Sequence, residues 1–294
     1  MTTGPIKILL QTTIASTEDD WSIARFGGLG ALLRDQRKES GDPVFDVTMR
    51  DRDPPGTPDA VLACIDRSDF DELWLFAVDT GNGLTTEDCE AISRFRAMGR
   101  GLLVTRDHMD LGSSVCALGG VGKAHYFHSY SPDPDMARRV IDDPYSANIS
   151  WPNFHSGANG DFQVIEIAEP VHPVLRDPAS PTGAIQFLPC HPHEGAVGAP
   201  DGEPARVVAL GTSKVSGKRF NIVVAFEPSA TAGPAIAQST FHHFADYNWD
   251  TSAGCPSFVD EPPGDAIVRT PQAMADTHRY VLNVAHWLAR RPVC

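Results

Sequence analysis

At 294 residues, 41% hydrophobic and 21% charged, the chain can bury a substantial core and has the composition of a globular protein, which excludes long disorder. A formal net charge of -14 and the lack of any dense Lys/Arg run exclude nucleic acid as the expected partner. No segment reaches the length of a membrane span, the N-terminus MTTGPIKILLQTT lacks the features of an export signal, and the six cysteines form no CxxC pair, so the sequence predicts a cytoplasmic protein with neither a disulfide framework nor a zinc ribbon.

Ile6 to Gln11 (IKILLQ) reads as a buried first strand, followed by a helix over Trp21 to Arg34. Phe45 to Met49 alternates as a second strand, Pro58 to Asp66 is a short helix, and Leu73 to Val78 is a continuous apolar strand. Thr85 and the acids after it open a helix that stops at Gly99, and Gly101 to Thr105 is the fourth strand. Strands separated by helices imply parallel pairing through right-handed crossovers, so the expected fold is α/β, a flavodoxin-like doubly wound sheet. A loop-rich insertion is expected at about 123–160. Strands then follow over Phe162 to Ala168, Ala184 to Leu188, Arg206 to Gly211, Phe220 to Phe226 and Ala235 to Phe241, several of them antiparallel, and Thr270-Pro271 starts a final helix. The whole of 1–294 is read as one domain.

In a parallel α/β sheet, ligands bind beyond the carboxyl ends of the strands. The stretch GLLVTRDHMDLGSS therefore places Arg106, Asp107, His108 and Asp110 where a base or an anion-binding group would sit, or else as caps and ion pairs for a helix beginning near Leu111. FHHFADYNWD follows a later strand and carries His242, His243, Asp246, Tyr247, Asn248 and Trp249. Adjacent histidines on extended backbone point opposite ways, so one of the pair faces the pocket, and His243 is favoured over His242. PCHPHEGAV offers His191 and His193 at HxH spacing beside Glu194, either as surface histidines or as metal ligands.

These residues resemble the ThuA-like (trehalose-utilisation-like) branch of the class I glutamine amidotransferase-like superfamily. The run from Thr85 through Gly101 to His108 is similar to that superfamily's helix, glycine turn and strand leading into the nucleophile elbow. AIAQSTFHHFADYNWD with RYVLNVAHWLARR is similar to its closing strand, histidine and last helix. The resemblance implies His108 in place of the cysteine nucleophile, hence an enzyme without glutaminase activity.

The expected function is acid–base chemistry on a small polar, carbohydrate-derived substrate, by His108 with His243 or His242, oriented by Asp107 or Asp246. Arg106, Asp110, Tyr247, Asn248, Trp249 and Glu194 are the expected substrate contacts. No cofactor is predicted. The alternatives are a non-catalytic binding module and a metal-dependent hydrolase that holds a divalent metal on His108, His193, Glu194 and His243. The sequence leaves the oligomeric state open.

Overall fold

The computed structural model describes residues 4–139, 142 and 148–291. The four apolar runs of the first half become β1 (Ile6–Thr12), β2 (Phe45–Arg50), β3 (Glu72–Phe76) and β4 (Gly101–Thr105). Five short strands follow: β5 (His125–Tyr126), β6 (Phe162–Val164), β7 (Glu166–Ile167), β8 (Phe187–Pro189) and β9 (Ala196–Val197). Last come β10 (Ala205–Thr212), β11 (Arg219–Phe226) and β12 (Ala235–Gln238).

Eight of these strands form one sheet in the order β2-β1-β3-β4-β12-β11-β10-β7. Neighbours from β2 to β12 pair in parallel, and those from β12 to β7 are antiparallel. The parallel part repeats the 2-1-3-4-5 order of flavodoxin-like sheets. The expected mostly parallel sheet with added antiparallel strands is thus the observed one.

Alternation along the strands sends side chains to two faces. Ile8, Leu10, Trp74 and Phe76 point toward α1 (Gly27–Arg34) and α5 (Pro271–Leu288), where Leu29, Leu33, Val281 and Val284 complete one apolar cluster. Leu9, Leu73, Leu75 and Val104 point the other way, toward Ile92 and Phe95 of α2 (Thr86–Ala97). A capping box starts α2: the Thr85 side chain accepts from the Asp88 amide while the Asp88 carboxylate accepts from the Thr85 amide. Two short helices, α3 (Asp246–Trp249) and α4 (Ala266–Arg269), complete the chain.

Several local expectations are corrected. The helix expected to begin near Leu111 does not form; residues 108–114 form turns, and a 3-10 segment comes only at Leu118–Ala124. The reason is Arg106, whose guanidinium takes the carbonyls of His108, Met109 and Leu111 that a helix would have bonded. The 58–66 helix is a 3-10 segment at Leu62–Arg67, and the strand expected to run to Phe241 stops at Gln238. Cys89 on α2 is joined to Cys116 by a disulfide, against the reading of the cysteine spacing. Of the expected insertion at about 123–160, residues 140, 141 and 143–147 lie outside the described residues. Among the described residues no helix is long and apolar enough to cross a membrane.

Candidate active site

The parallel strands deliver their following residues to one rim, where a cavity of about 360 Å³ opens. Asp107 and His108 come directly after β4, and His242 follows β12 in a 3-10 turn over Phe241–Phe244. His191 and His193 arrive on the loop between β8 and β9. That loop is pinned where Gly195 donates its amide to the Ser239 carbonyl at 3.1 Å, and a Cβ on Gly195 would lie 2.5 Å from the Asp107 carbonyl oxygen and 2.6 Å from that of Ser239. Only a residue without a side chain lets the backbone thread between the ends of β4 and β12.

Asp107 is the hub. Its Oδ1 accepts from the Thr240 hydroxyl at 2.7 Å. Its Oδ2 lies 2.8 Å from His108 Nδ1, 3.2 Å from His191 Nε2 and 3.8 Å from His242 Nε2. Burial works against ionising this carboxyl, but the imidazoles of His191 and His108 and the hydrogen bond from His108 outweigh it and hold Asp107 well below the usual carboxylate range. The ionised oxygen can only accept, so His108 donates through Nδ1. Burial pushes His191 and His242 toward the neutral form, His242 well below the usual imidazole range. His193 sits beside them, with Nδ1 3.0 Å from Asn153 Oδ1 and Nε2 2.8 Å from Glu261 Oε1. That contact from His193 outweighs burial and holds Glu261 at about 2.

Asp107, His191 and His242 each offer one ligand atom, and the three atoms lie within 4.8 Å of one another. No metal group of this kind includes Glu194 or His243 among the described residues. The walls around the group are apolar, with Trp21, Leu111, Phe241 and Phe258 among them.

No protein-family model and no curated protein matches this chain. Solved structures similar to it include one described as a ThuA-like protein from Parabacteroides merdae, 15% identical with a TM-score of 0.43, which covers 89% of this chain and 95% of its own. Another described as ThuA-like, from Bacteroides uniformis, is 11% identical with a TM-score of 0.43, over 96% of this chain and 94% of its own. The glutaminase domain of the Trypanosoma brucei CTPS is 13% identical, also at 0.43, over 98% of this chain and 96% of its own.

The structure divides the expected site residues into two sets. Asp107, His108, His193 and His242 line the cavity. Asn248 supports it from behind, with Oδ1 2.9 Å from His242 Nδ1.

The others lie elsewhere. Arg106 is fully buried, bonded to backbone carbonyls and stacked 4.2 Å over the Phe127 ring, so it shapes the turn. Asp246 accepts from the amides of Gly27 and Gly28 at 2.8 Å and caps α1, which leaves it no part in orienting a histidine. Asp110 accepts from the Ser129 amide, Trp249 Nε1 donates to the His243 carbonyl, and Tyr247 is buried.

The two histidines lie in a 3-10 turn rather than on the expected extended backbone, and it is His242, not the favoured His243, that faces the cavity. His243 is buried with Gln238 at 2.6 Å and Glu194 at 3.5 Å, in a network that Gln163 and Ser239 complete through Glu194. The proposed metal set of His108, His193, Glu194 and His243 is therefore split between two places.

His191, Asn159 and Glu261 were missed as site residues. The HxH spacing flagged His191 without showing which of its neighbours it would meet. Nothing in the sequence marked Asn159 or Glu261, because their roles exist only through contacts made across the fold.

Proposed function

We propose that this chain is an enzyme acting on a small polar, carbohydrate-derived molecule by histidine acid–base chemistry, with His108 as the group that moves the proton. The observation that carries the proposal is the 2.8 Å contact from His108 Nδ1 to Asp107 on the cavity wall. It pins the Nδ1–H tautomer and leaves Nε2 to exchange a proton with a substrate. His108 is also the more accessible of these groups, its side chain 19% exposed against 2% for Asp107 and 3% for His242.

The lining supports a neutral substrate. Among the described residues it contains Asp20, Asp107 and Glu261 but no Lys or Arg to receive a phosphate or carboxylate. Trp21 and Phe258 offer apolar faces for the C–H side of a ring. The carbohydrate assignment itself rests on the sequence resemblance to ThuA-like proteins. A cytoplasmic location is likewise a proposal, and the Cys89–Cys116 disulfide is the feature that speaks for oxidising surroundings.

The test is a screen of neutral mono- and disaccharide derivatives for turnover, followed by His108→Gln on any active compound. The substitution should lower kcat about 100-fold or more. Saturable binding without product would favour the binding-module reading, and unchanged turnover in the variant would remove His108 from the chemistry.

A further inference from the structure

We infer that His242 decides what the cavity accepts: its Nε2 is held there as a hydrogen-bond acceptor, so the substrate must bring a hydroxyl to it. This rests on the proposed reading of the site and adds what that site selects. The chain of donors and acceptors begins at the Cys190 carbonyl, which can only accept. It takes its hydrogen bond from Asn248 Nδ2 at 2.8 Å, and this fixes which end of that amide is nitrogen. Asn248 Oδ1 therefore faces His242 Nδ1 at 2.9 Å, and that ring nitrogen must donate. A neutral imidazole has one N–H, so Nε2 keeps its lone pair.

A second proton would spoil the acceptor, and the surroundings oppose one. The ring packs on His191 with centroids 3.5 Å apart, on Phe241 at 4.4 Å, and edge-on against Trp21 at 4.5 Å. Burial there, with the neighbouring His191 and His108, holds His242 well below the usual imidazole range. Asp107 pulls the other way, but its Oδ2 lies 3.8 Å from Nε2, beyond hydrogen-bonding distance. That carboxylate is already supplied: Oδ1 takes the Thr240 hydroxyl and Oδ2 takes the His108 Nδ1–H. His191 supplies it too. Asn159 Oδ1 accepts from Asn248 Nδ2 at 2.8 Å and lies 2.9 Å from His191 Nδ1, which therefore donates. One proton on the 3.2 Å line from His191 Nε2 to Asp107 Oδ2 then serves both groups.

Among the described residues no group hydrogen-bonds His242 Nε2, and His242 lines the cavity, so the lone pair is left for a ligand. Asp20 and Glu261 add carboxyl oxygens to the same lining. A ligand rich in hydroxyls satisfies these acceptors. An ether or carbonyl oxygen placed at His242 would meet it lone pair to lone pair and leave both unpaired.

The test reads the histidine nitrogens of the full-length protein by NMR. His242→Gln assigns the signals or, where that variant fails to fold, the contact with the Trp21 ring does so. At neutral pH His242 should carry its proton on Nδ1 and none on Nε2. Each neutral saccharide of the screen is then added beside its O-methylated form. At least one saccharide should shift the His242 Nε2 signal saturably and bind at least about 100-fold more tightly than its O-methylated form. A proton on His242 Nε2 in the free protein, no shift with any saccharide, or equal binding of both forms overturns the inference. Asn248→Ala should move part of the His242 population to the Nε2–H tautomer, and an unchanged tautomer overturns the role given to Asn248. No turnover enters these readings, so loss of the proton-transfer role of His108 leaves them standing, and their failure leaves His108 untouched.

Discussion

The imidazole of His191 lies flat on that of His242, with centroids 3.5 Å apart and planes within 10° of parallel, although one belongs to the loop before β9 and the other follows β12. Trp21 closes the far edge of His242 at 4.5 Å. This packing holds His242 against the cavity and sends its neighbour His243 into the protein. Substituting the two adjacent histidines should therefore be separable at the cavity. Both are buried and hydrogen-bonded, His242 to Asn248 and His243 to Gln238, so each change to alanine should lower stability by about 1–3 kcal/mol. Only His242→Ala should also alter ligand binding at the cavity it lines. Urea denaturation beside ligand binding separates the two effects, and equal losses of binding in both variants would count against the assignment.

Arg106 is read as the organiser of the turn after β4. A lysine there keeps the charge but cannot reach the carbonyls of Leu111, His108, Met109 and Tyr126 together. Arg106→Lys should lower stability by about 3 kcal/mol or more, since several buried carbonyls lose their donor. A chemical denaturation midpoint unchanged from wild type would show that the turn stands without the guanidinium.

Gly195→Ala should be tolerated badly, because the added methyl meets two backbone oxygens rather than a side chain that can move. A cost of about 1–3 kcal/mol is the ordinary range for overpacking. The readout specific to this position is displacement of His191 and His193, visible as a changed imidazole environment in NMR spectra.

Asp59 gives a pH dependence of defined sign. Burial raises its pKa, but the hydrogen bond from Arg50 and those from the amides of Leu62, Asp53 and Val61 outweigh it and hold the carboxyl at about 2, against an ordinary 3.8. A depressed folded-state pKa contributes stability that is present above the unfolded value and lost as pH falls from about 4 through 2. The contribution is about 2 kcal/mol at neutral pH. The stability gap between wild type and Asp59→Asn should thus be open at pH 7 and nearly closed at pH 2; a gap independent of pH would contradict the assignment.

Glutamine should release no ammonia in the presence of this protein. The turn after β4 carries no cysteine to serve as a thiol nucleophile, and the nearby Cys116 is committed to Cys89. Ammonia release that stops on alkylating a cysteine would show a thiol nucleophile after all.

The sequence by itself determined the sheet. Apolar runs such as IKILLQ and GLLVT, set between helical stretches, carry their own period, and a period of two decides locally which side chains share a face. It also placed Asp107, His108 and one of His242 and His243 at a common rim, because residues that follow parallel strands must emerge at the same edge. It could not decide between His242 and His243, since the choice depends on Trp21 and His191 packing from other loops. Nor could it show that Arg106 would spend its hydrogen bonds on carbonyls, or that Asp246 would cap α1 from the far end of the chain. The meeting of Asp107, His191 and His242 was beyond it for the same reason: Gly195 must first thread between two strand ends to bring His191 in, and that crossing belongs to the tertiary structure alone.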